Sequence, residues 1–242
     1  MEKRMFLSEL ARAAELYGVE LTGEQMEQFG IYYRLLIEWN EKMNLTAITE
    51  PKEVAVKHMI DSLSAWDGTR MAERASLVDV GTGAGFPGLP LKIFRPKLHL
   101  TLLDSLHKRV TFLQTVVQEI GLSDVACIHA RAEEAARNKA YREQFDIAVS
   151  RAVARLPILA EYCLPFVKKG GLFVALKGMR YQEEAEEARR AVKLLGGAET
   201  ECVPVKLPEL EDKRAVIYIK KIAATPKAYP RRAGTPEKKP IL

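Results

Sequence analysis

The sequence predicts a doubly wound α/β fold, in which helices cover both faces of a largely parallel sheet. From residue 76 onward, short apolar runs alternate with longer helical stretches, and a glycine-rich turn follows the first run. The stretches are long enough to be the crossover helices that parallel strands require. Near the end, residues 199–205 and 215–222 are extended segments separated only by a loop, which predicts a final antiparallel pair.

Residues 1–70 are predicted to form a helical segment that precedes the sheet. Thr22–Gln25 has the form of a capping box, and apolar residues at helical spacing follow it up to Asn44. Thr49, with Pro51 in the first turn, predicts a further helix through about Trp66. The sheet domain is predicted to occupy residues 71–224. Its strands are expected at residues 77–80, 98–103, 125–129, 145–149, 172–176, 199–205 and 215–222, with helices at 108–120, 157–166 and 183–195.

The tail, residues 225–242, is rich in proline and basic residues and is predicted to lie extended on the surface. The chain has a formal net charge of +5, but from Lys213 onward Glu237 is the only acidic residue. Such a segment suits contact with RNA phosphates, and a solvated tail without a partner is an equal alternative. If the tail serves RNA alone, its removal should leave cofactor binding unchanged.

Composition excludes several classes of protein. With 242 residues and 48% hydrophobic composition, the chain can bury the core of one catalytic domain. Its three cysteines form no CxxC pair, so neither a disulfide framework nor a metal site is predicted. No stretch reaches the roughly 20 apolar residues of a membrane span. We therefore expect a cytoplasmic protein with no membrane association.

The glycine-rich turn, residues 77–88, is the most informative motif. Gly81, Gly83 and Gly85 let the backbone turn sharply and approach a nucleotide-like cofactor, although a tight turn without a ligand is an alternative. The pattern also satisfies the dinucleotide fingerprint, so an NAD(P)-dependent oxidoreductase is a rival prediction. Asp79 favours S-adenosyl-L-methionine, because its carboxylate would repel a pyrophosphate but suits the ammonium group of a methionine moiety.

Further candidate residues follow the other strands at the same sheet edge. Asp104 could accept hydrogen bonds from both ribose hydroxyls, or it could be a helix N-cap. Ala132 and Glu133 lie where an adenine would reach. Arg151 could hold a carboxylate or an RNA phosphate, with a surface arginine at a helix start as the alternative. Lys177, which ends the fifth strand, could meet an RNA phosphate.

His58, Asp61 and Ser62 are spaced to share one helix face. A hydrolase triad is an unfavourable interpretation, because nothing in the sequence exposes and orients the nucleophile. We expect this face to pack over the cofactor cleft or to touch the target nucleotide, with ordinary helix-surface hydrogen bonding as an equal alternative.

Seven short segments together resemble the RsmG family, also called glucose-inhibited division protein B, and the resemblance covers nearly the whole chain. The segments are NLTAIT at 44–49, HMIDSL at 58–63, DVGTGAGFPG at 79–88, LDS at 103–105 with Lys108 and Arg109, RAE at 131–133, SRA at 150–152, and YPRRAGTP at 229–236. The resemblance implies methylation of guanine N7 in 16S ribosomal RNA, with S-adenosyl-L-methionine as cofactor. It implies a class I methyltransferase sheet with an antiparallel last strand, behind an N-terminal helical segment.

The motifs and the resemblance together give a predicted site. Cofactor-binding residues are Asp79, Gly81, Gly83, Gly85, Phe86, Asp104, Ser105, Leu106, Ala132, Glu133 and Arg151. Candidate RNA contacts are His58, Arg155, Lys177, Arg231 and Arg232. The expected partner is 16S ribosomal RNA or the small ribosomal subunit, met by a monomer; a non-catalytic RNA-binding module is the second rival. No catalytic residue is assigned, because N7 carries a lone pair and no proton, and Cys127, Cys163 and Cys202 are expected to be core residues.

Overall fold

The computed structural model describes residues 2–242 and confirms the predicted fold class. The strands are β1 (Ser76–Val80), β2 (His99–Asp104), β3 (Val125–His129), β4 (Phe145–Arg151), β5 (Val167–Lys177), β6 (Glu201–Val205) and β7 (Arg214–Lys220). They form one seven-stranded sheet in the order β3-β2-β1-β4-β5-β7-β6. β1 to β5 pair in parallel, whereas β7 runs antiparallel to both β5 and β6. The strand order reverses between β2 and β4 at β1, which is where open α/β sheets bind ligands.

The helices lie before, between and after these strands. They are α1 (Glu2–Tyr17), α2 (Gly23–Met43), α3 (Pro51–Glu53), a π-helix (Val54–Ile60), α4 (Asp61–Leu63), α5 (Gly88–Phe94), α6 (His107–Ile120), α7 (Ala132–Ala135), α8 (Leu156–Cys163), a 3₁₀ turn (Leu164–Phe166), α9 (Tyr181–Glu187), α10 (Arg189–Leu194) and α11 (Thr235–Lys238). The single helix expected at 183–195 is therefore two short ones, α9 and α10.

The N-terminal helices follow their sequence signals in part. The capping box is present, since the Thr22 hydroxyl accepts from the Gln25 amide at 3.2 Å and the Gln25 side chain accepts from the Thr22 amide at 2.9 Å. The second start signal was wrong by one residue, because Glu50 is the N-cap and makes no side-chain cap. That helical run ends at Leu63, short of Trp66, and its middle is a π-helix. The π-helix, whose turns are wider than those of an α-helix, packs against α1.

Two cores cover the two faces of the sheet. Because side chains alternate along a strand, Leu77 of β1 faces a core shared with α1, α2, α5 and α6, while Val78 and Val80 face α8 and α10. The N-terminal helices are thus part of the main core. A division of the chain at residues 70 and 224 stays a prediction.

The tail differs from the sequence expectation. It packs against the α8 side of the sheet, where Pro230, Pro236 and Ile241 are buried, and residues 235–238 form the one-turn helix α11. Arginine side chains of the loop after α7 bind its backbone carbonyl groups, which replaces the hydrogen bonds that a regular element would make. The prediction of an extended, unpacked tail was therefore wrong.

The cysteines are free, and only Cys163 is fully buried, whereas Cys127 and Cys202 are half-buried. The expectation of three core cysteines is confirmed for Cys163 alone. Burial raises the pKa of the Cys127 thiol to about 11, which disfavours the thiolate. Within residues 2–242, no helix has the length and apolar character needed to cross a membrane. In the same range, no three His, Cys, Asp or Glu side chains are grouped so as to hold a metal ion.

Candidate active site

A cleft opens at the carboxyl ends of β1, β2 and β3. Strand and loop residues from these three ends form its floor and one side, and α8 and the tail form the other side. The lining residues are Val80, Gly81, Leu103, Asp104, Ser105, Ala130, Arg131, Ala132, Glu133, Val153, Tyr162 and Glu237. The cleft thus lies at the carboxyl edge of the sheet, where the sequence predicted the candidate residues to meet.

Asp79 organises the glycine loop from inside the protein. Its carboxylate is fully buried, and Oδ2 accepts hydrogen bonds from the Thr82 hydroxyl at 2.6 Å and the Gly88 amide at 2.8 Å. Oδ1 is buried and has no hydrogen-bond partner among the described residues. Burial raises the pKa of this carboxyl group to about 7. Such an orphaned acceptor is a place where a cationic donor would be stabilised.

The glycines of the loop have two different roles. At Gly83, with φ of +60°, a Cβ atom would meet nothing within 4 Å, so the backbone is open to a ligand. At Gly81 a Cβ would lie 2.6 Å from Cγ2 of Val153, a half-exposed side chain on the loop after β4. Gly85 and Gly88 instead have close packing partners within the protein. Of these glycines, Gly81 lines the cleft, and Gly83 beside it has open space around its backbone.

Asp104 joins the glycine loop to the end of β2. Its Oδ2 accepts from the Gly83 amide and its Oδ1 from the Leu106 amide, each at 2.9 Å. The N-cap of α6 is Leu106, so the interpretation of Asp104 as a helix cap was wrong. Each carboxylate oxygen has a second lone pair, and the group lines the cleft, so it can still accept from a ribose.

The far end of the cleft is built by α7, α8 and the tail. Glu133 of α7 is buried, and its Oε1 accepts from the Gly234 amide at 2.7 Å. Tyr162 of α8 donates from its hydroxyl to Oε1 of Glu237 at 3.1 Å. Glu237, a tail residue, thereby joins Asp104 and Glu133 as the third carboxylate that lines the cleft.

A second pocket lies beside the first, between the π-helix, the end of β4 and the start of β7. Asp61 bridges two arginines there, with Oδ2 at 2.9 Å from Arg151 and Oδ1 at 2.7 Å from Arg214. Arg151 also donates to the Lys57 carbonyl at 3.0 Å. Two guanidinium groups share one carboxylate, so the cluster carries net positive charge.

His58 completes this cluster as a neutral side chain. Its Nδ1 lies 3.1 Å from Nη2 of Arg151, which can only donate, so Nδ1 accepts and Nε2 carries the proton. Nε2 then donates to the Thr46 hydroxyl at 2.8 Å. Burial and the nearby Arg151 lower the pKa of His58 to about 3. The ring stacks on Phe86 with centroids 4.4 Å apart, and the Arg151 guanidinium lies 4.8 Å from the centre of the same Phe86 ring.

The helix face predicted from the spacing of His58, Asp61 and Ser62 is only partly realised. His58 and Asp61 both contact Arg151. The Ser62 hydroxyl instead donates to the His58 carbonyl at 2.6 Å and is fully buried. The first two residues therefore belong to the pocket, and Ser62 satisfies the backbone.

The predicted cofactor residues fall into two groups. Gly81, Asp104, Ser105, Ala132 and Glu133 line the cleft. Asp79, Gly83, Gly85, Phe86, Leu106 and Arg151 lie around it without lining it: Gly85 is a packing position, Phe86 supports the second pocket, and Leu106 is 52% exposed. Sequence reasoning missed Val153, Tyr162 and Glu237, because their place depends on how α8 and the tail pack. Their binding roles stay predictions.

The predicted RNA contacts differ in how free their charges are. Lys177 donates to the Ala154 carbonyl and pairs with Glu184, each at 2.6 Å, and its side chain is only 7% exposed. Arg231 forms a bidentate pair with Glu161, and Arg155 pairs with Glu187. Lys177 and Arg231 are thus committed to internal pairs, which argues against their use on phosphates.

Arg232, in contrast, is exposed, and no hydrogen bond or ion pair involves its side chain among the described contacts. Of the tail arginines, it is therefore the one whose charge is available to a phosphate. A role in RNA binding stays a prediction for all five candidate residues.

Comparison with known proteins identifies the family. The GidB family model, described as rRNA small subunit methyltransferase G, matches residues 25–215. The chain belongs to the rRNA small subunit methyltransferase G family. The family member from Alkaliphilus metalliredigens is 50% identical over 241 residues and covers 100% of both chains. The member from Lactobacillus acidophilus is 47% identical over 243 residues, again with 100% coverage of both. The resemblance stated from the motifs is confirmed.

Solved structures of methyltransferases share the fold of this family member. A predicted O-methyltransferase from Agrobacterium tumefaciens superposes with a TM-score of 0.52 at 18% identity, covering 69% of this chain and 81% of that one. A SAM-dependent O-methyltransferase from Thermotoga maritima gives a TM-score of 0.50 at 15% identity, covering 79% and 72%. At such identities the likeness establishes the architecture, a class I methyltransferase sheet.

Proposed function

We propose that this chain transfers a methyl group from S-adenosyl-L-methionine to N7 of a guanine in 16S ribosomal RNA. Family membership supports the reaction, and one observation supports the cofactor: three carboxylates, Asp104, Glu133 and Glu237, line the cleft. Two arginines oppose them, Arg131 in the lining and Arg109 outside it, 3.5 Å from Asp104, so the carboxylates are in excess. This charge pattern repels the pyrophosphate of a dinucleotide and suits a cofactor that has a sulfonium, an ammonium and no phosphate. It therefore disfavours the oxidoreductase alternative.

The residues present fit such a cofactor. Oδ1 of Asp79 is a buried acceptor without a partner and would accept from the methionine ammonium. Asp104 would accept from the ribose hydroxyls, and Ala132 and Glu133 would bound the adenine. When bound, S-adenosyl-L-methionine supplies an electrophilic methyl group on a sulfonium. The protein's part is to hold that group rigidly at the carboxyl edge of the sheet and to exclude water from it.

The second pocket is the proposed position of the target guanine. Arg151 holds the end of β4 against the π-helix through Asp61 and the Lys57 carbonyl, which fixes its guanidinium beside the glycine loop. A guanidinium there can donate to guanine O6 and leave the N7 lone pair free. His58 stays neutral through its lowered pKa, so it adds no positive charge beside a purine ring that becomes cationic on methylation.

No general base is required by this chemistry, because N7 carries no proton to remove. Acceleration then comes from alignment of the lone pair with the methyl group and from the fixed charges around it. In A-form RNA, N7 faces a deep and narrow groove, so the target guanine must lie in a loop or leave its stack. We place this activity in the cytoplasm, as a monomer acting on 16S ribosomal RNA or the small ribosomal subunit; the free cysteines suit that reducing compartment.

The proposal is tested by methylating RNA in vitro with radiolabelled S-adenosyl-L-methionine. Small subunits and naked 16S ribosomal RNA from cells that lack the enzyme are treated in parallel, then subjected to borohydride reduction and aniline cleavage. We expect label in RNA and strand scission at one guanine, since this treatment cleaves at N7-methylguanine.

The matched variants are Glu133→Gln and Glu134→Gln, which change neighbouring residues of α7, one buried in the cleft and one exposed. Only Glu133→Gln should reduce the yield of cleavage at limiting cofactor. Label without scission would contradict N7 as the target atom. Equal yields from both variants would contradict the placement of the cofactor in this cleft.

A further inference from the structure

The C-terminal tail closes one end of the cleft, in a part of the chain beyond the family model, whose match ends at residue 215. We propose that tail residues 231–237 form the outer wall of the cofactor cleft at its adenosine end, and that docking of the tail and binding of the cofactor are coupled. This inference rests on the proposed function, in which the cleft binds S-adenosyl-L-methionine.

The first part of the tail is fixed by arginines that follow α7. Arg142 donates to the Tyr229 carbonyl at 2.7 Å and to the Thr225 carbonyl at 2.8 Å. Arg137 donates to the Pro230 carbonyl at 3.0 and 2.7 Å through two of its nitrogens. These contacts fix the path of the backbone that leads to the cleft.

The second anchor is an ion pair at the base of α8. Glu161 is 1% exposed, and its carboxylate accepts from the Arg231 side chain at distances of 2.6 to 3.1 Å. The Arg231 backbone amide donates to the same carboxylate at 2.7 Å. A buried carboxylate without this partner would be strongly unfavourable, so the pair holds Arg231 in place. The segment 232–237 therefore begins at a fixed position, Arg231, beside the cleft.

From that point the tail contacts the cleft directly. The Gly234 amide donates to Glu133, and Glu237 lies in the cleft wall, where its carboxylate accepts from Tyr162. Gly234 has a φ of +77°, a conformation that a side chain would strain, and it turns the chain into α11. Glu133, the buried carboxylate of the adenosine end, is thus oriented by a tail hydrogen bond.

Coupling of this kind is reciprocal. If the docked tail strengthens cofactor binding, bound cofactor must stabilise the docked tail by the same factor. This revises the sequence expectation that loss of the tail would leave cofactor binding unchanged. The tail then has a second role, in cofactor binding, besides any contact of its basic residues with RNA.

The test compares Glu237→Ala with Lys238→Ala in full-length protein; both side chains are exposed, but only Glu237 lines the cleft. Calorimetric titration with S-adenosyl-L-methionine should show a Kd raised about fivefold in Glu237→Ala, which loses the hydrogen bond from Tyr162 that holds the tail against the cleft, and within twofold of the parent in Lys238→Ala. The KM for the cofactor should rise in Glu237→Ala with kcat unchanged. The thermal midpoints of the two variants without ligand should agree.

The reciprocal effect is measured by hydrogen exchange of the unaltered protein. Peptides that cover residues 229–237 should exchange more slowly with saturating S-adenosyl-L-methionine, while peptides of β6 should not change. Equal affinities for both variants, with exchange at 229–237 unaffected by a cofactor that does bind, would overturn the coupling and leave the proposed function standing. Failure of the unaltered protein to bind S-adenosyl-L-methionine would overturn both.

Discussion

Neutralising Asp61 should destabilise the protein markedly, because one buried carboxylate balances two arginines. The oxygens of Asp61 lie 2.9 Å from Arg151 and 2.7 Å from Arg214, and the three side chains are only 10%, 12% and 18% exposed. At an effective dielectric constant of about 20, each pair has a gross attraction of about 4 kcal/mol, most of which offsets desolvation.

Removal of the shared partner leaves Arg151 without an acidic partner and leaves Arg214 with only the exposed Asp212, at 3.6 Å, and breaking a buried pair costs about 3–5 kcal/mol. Asp61→Asn keeps the shape of the side chain and one acceptor oxygen, so we expect a loss of unfolding free energy at the lower end of this range, about 3 kcal/mol. In a chain of this size that loss lowers Tm by roughly 6–12 °C.

Glu53→Gln is the matched control for this prediction. Glu53 also pairs with a basic residue of the same helical run, Lys57, but the Glu53 side chain is 46% exposed and that of Lys57 is 30% exposed. We expect its effect to stay below about 1 kcal/mol, as for other exposed pairs. The assay is chemical denaturation at pH 7 followed by circular dichroism. Equal denaturation midpoints for Asp61→Asn and Glu53→Gln would refute the reasoning, since the arginines would then be balanced by solvent.

Three further predictions concern the loop and the histidine. Burial raises the pKa of Asp79 to about 7. If the ionised carboxylate pairs with the cofactor ammonium, binding at pH 6 releases a proton, and the affinity for the cofactor rises from pH 6 to 8. Calorimetry that detects no proton release would count against the pair. His58 stays neutral in the folded protein down to about pH 3, but in the unfolded chain it is protonated below about pH 6.5, so the free energy of unfolding falls as the pH drops from 6.5 to 3. His58→Gln should make this fall less steep. Parallel profiles of unfolding free energy against pH for the variant and the parent would contradict this. Gly85→Ala should cost about 1–3 kcal/mol, because its Cβ would lie 2.4 Å from Leu89 and 2.7 Å from the Tyr32 hydroxyl; an unchanged Tm would show that the loop relaxes freely.

Local signals predicted the elements of the sheet well. The strand positions and the antiparallel end of the sheet follow from runs of apolar residues and from connection lengths, which are properties of adjacent residues. The same holds for Asp104 and Glu133, because parallel strands bring their carboxyl ends to one edge. The π-helix at Val54–Ile60 could not be predicted, since its apolar residues suit an α-helix equally well.

The errors in the predicted site have a common physical cause. Lys177 and Arg231 look like free cations in the sequence, but Arg231 pairs with Glu161, 70 residues away, and Lys177 pairs with Glu184 across the turn into α9. Proline content suggested an unpacked tail, and the arginines that bind its carbonyls lie more than 80 residues away in sequence. Long-range pairs of this kind decide which charges are available to a ligand.

The Asp104 carboxylate has a structural role in addition to its predicted contact with the ribose. Its carboxylate holds the Gly83 and Leu106 amides, so Asp104→Ala would disturb the glycine loop as well as any ribose contact. A loss of affinity in that variant alone would therefore not separate the two roles.

The most direct test of the central claim is a crystal structure of the protein with S-adenosyl-L-methionine. The account predicts the ribose within hydrogen-bonding distance of Asp104, the ammonium at Oδ1 of Asp79, and the adenine between Glu133 and the tail. Electron density for the cofactor outside this cleft, or inside it with the ammonium turned away from Asp79, would contradict the account.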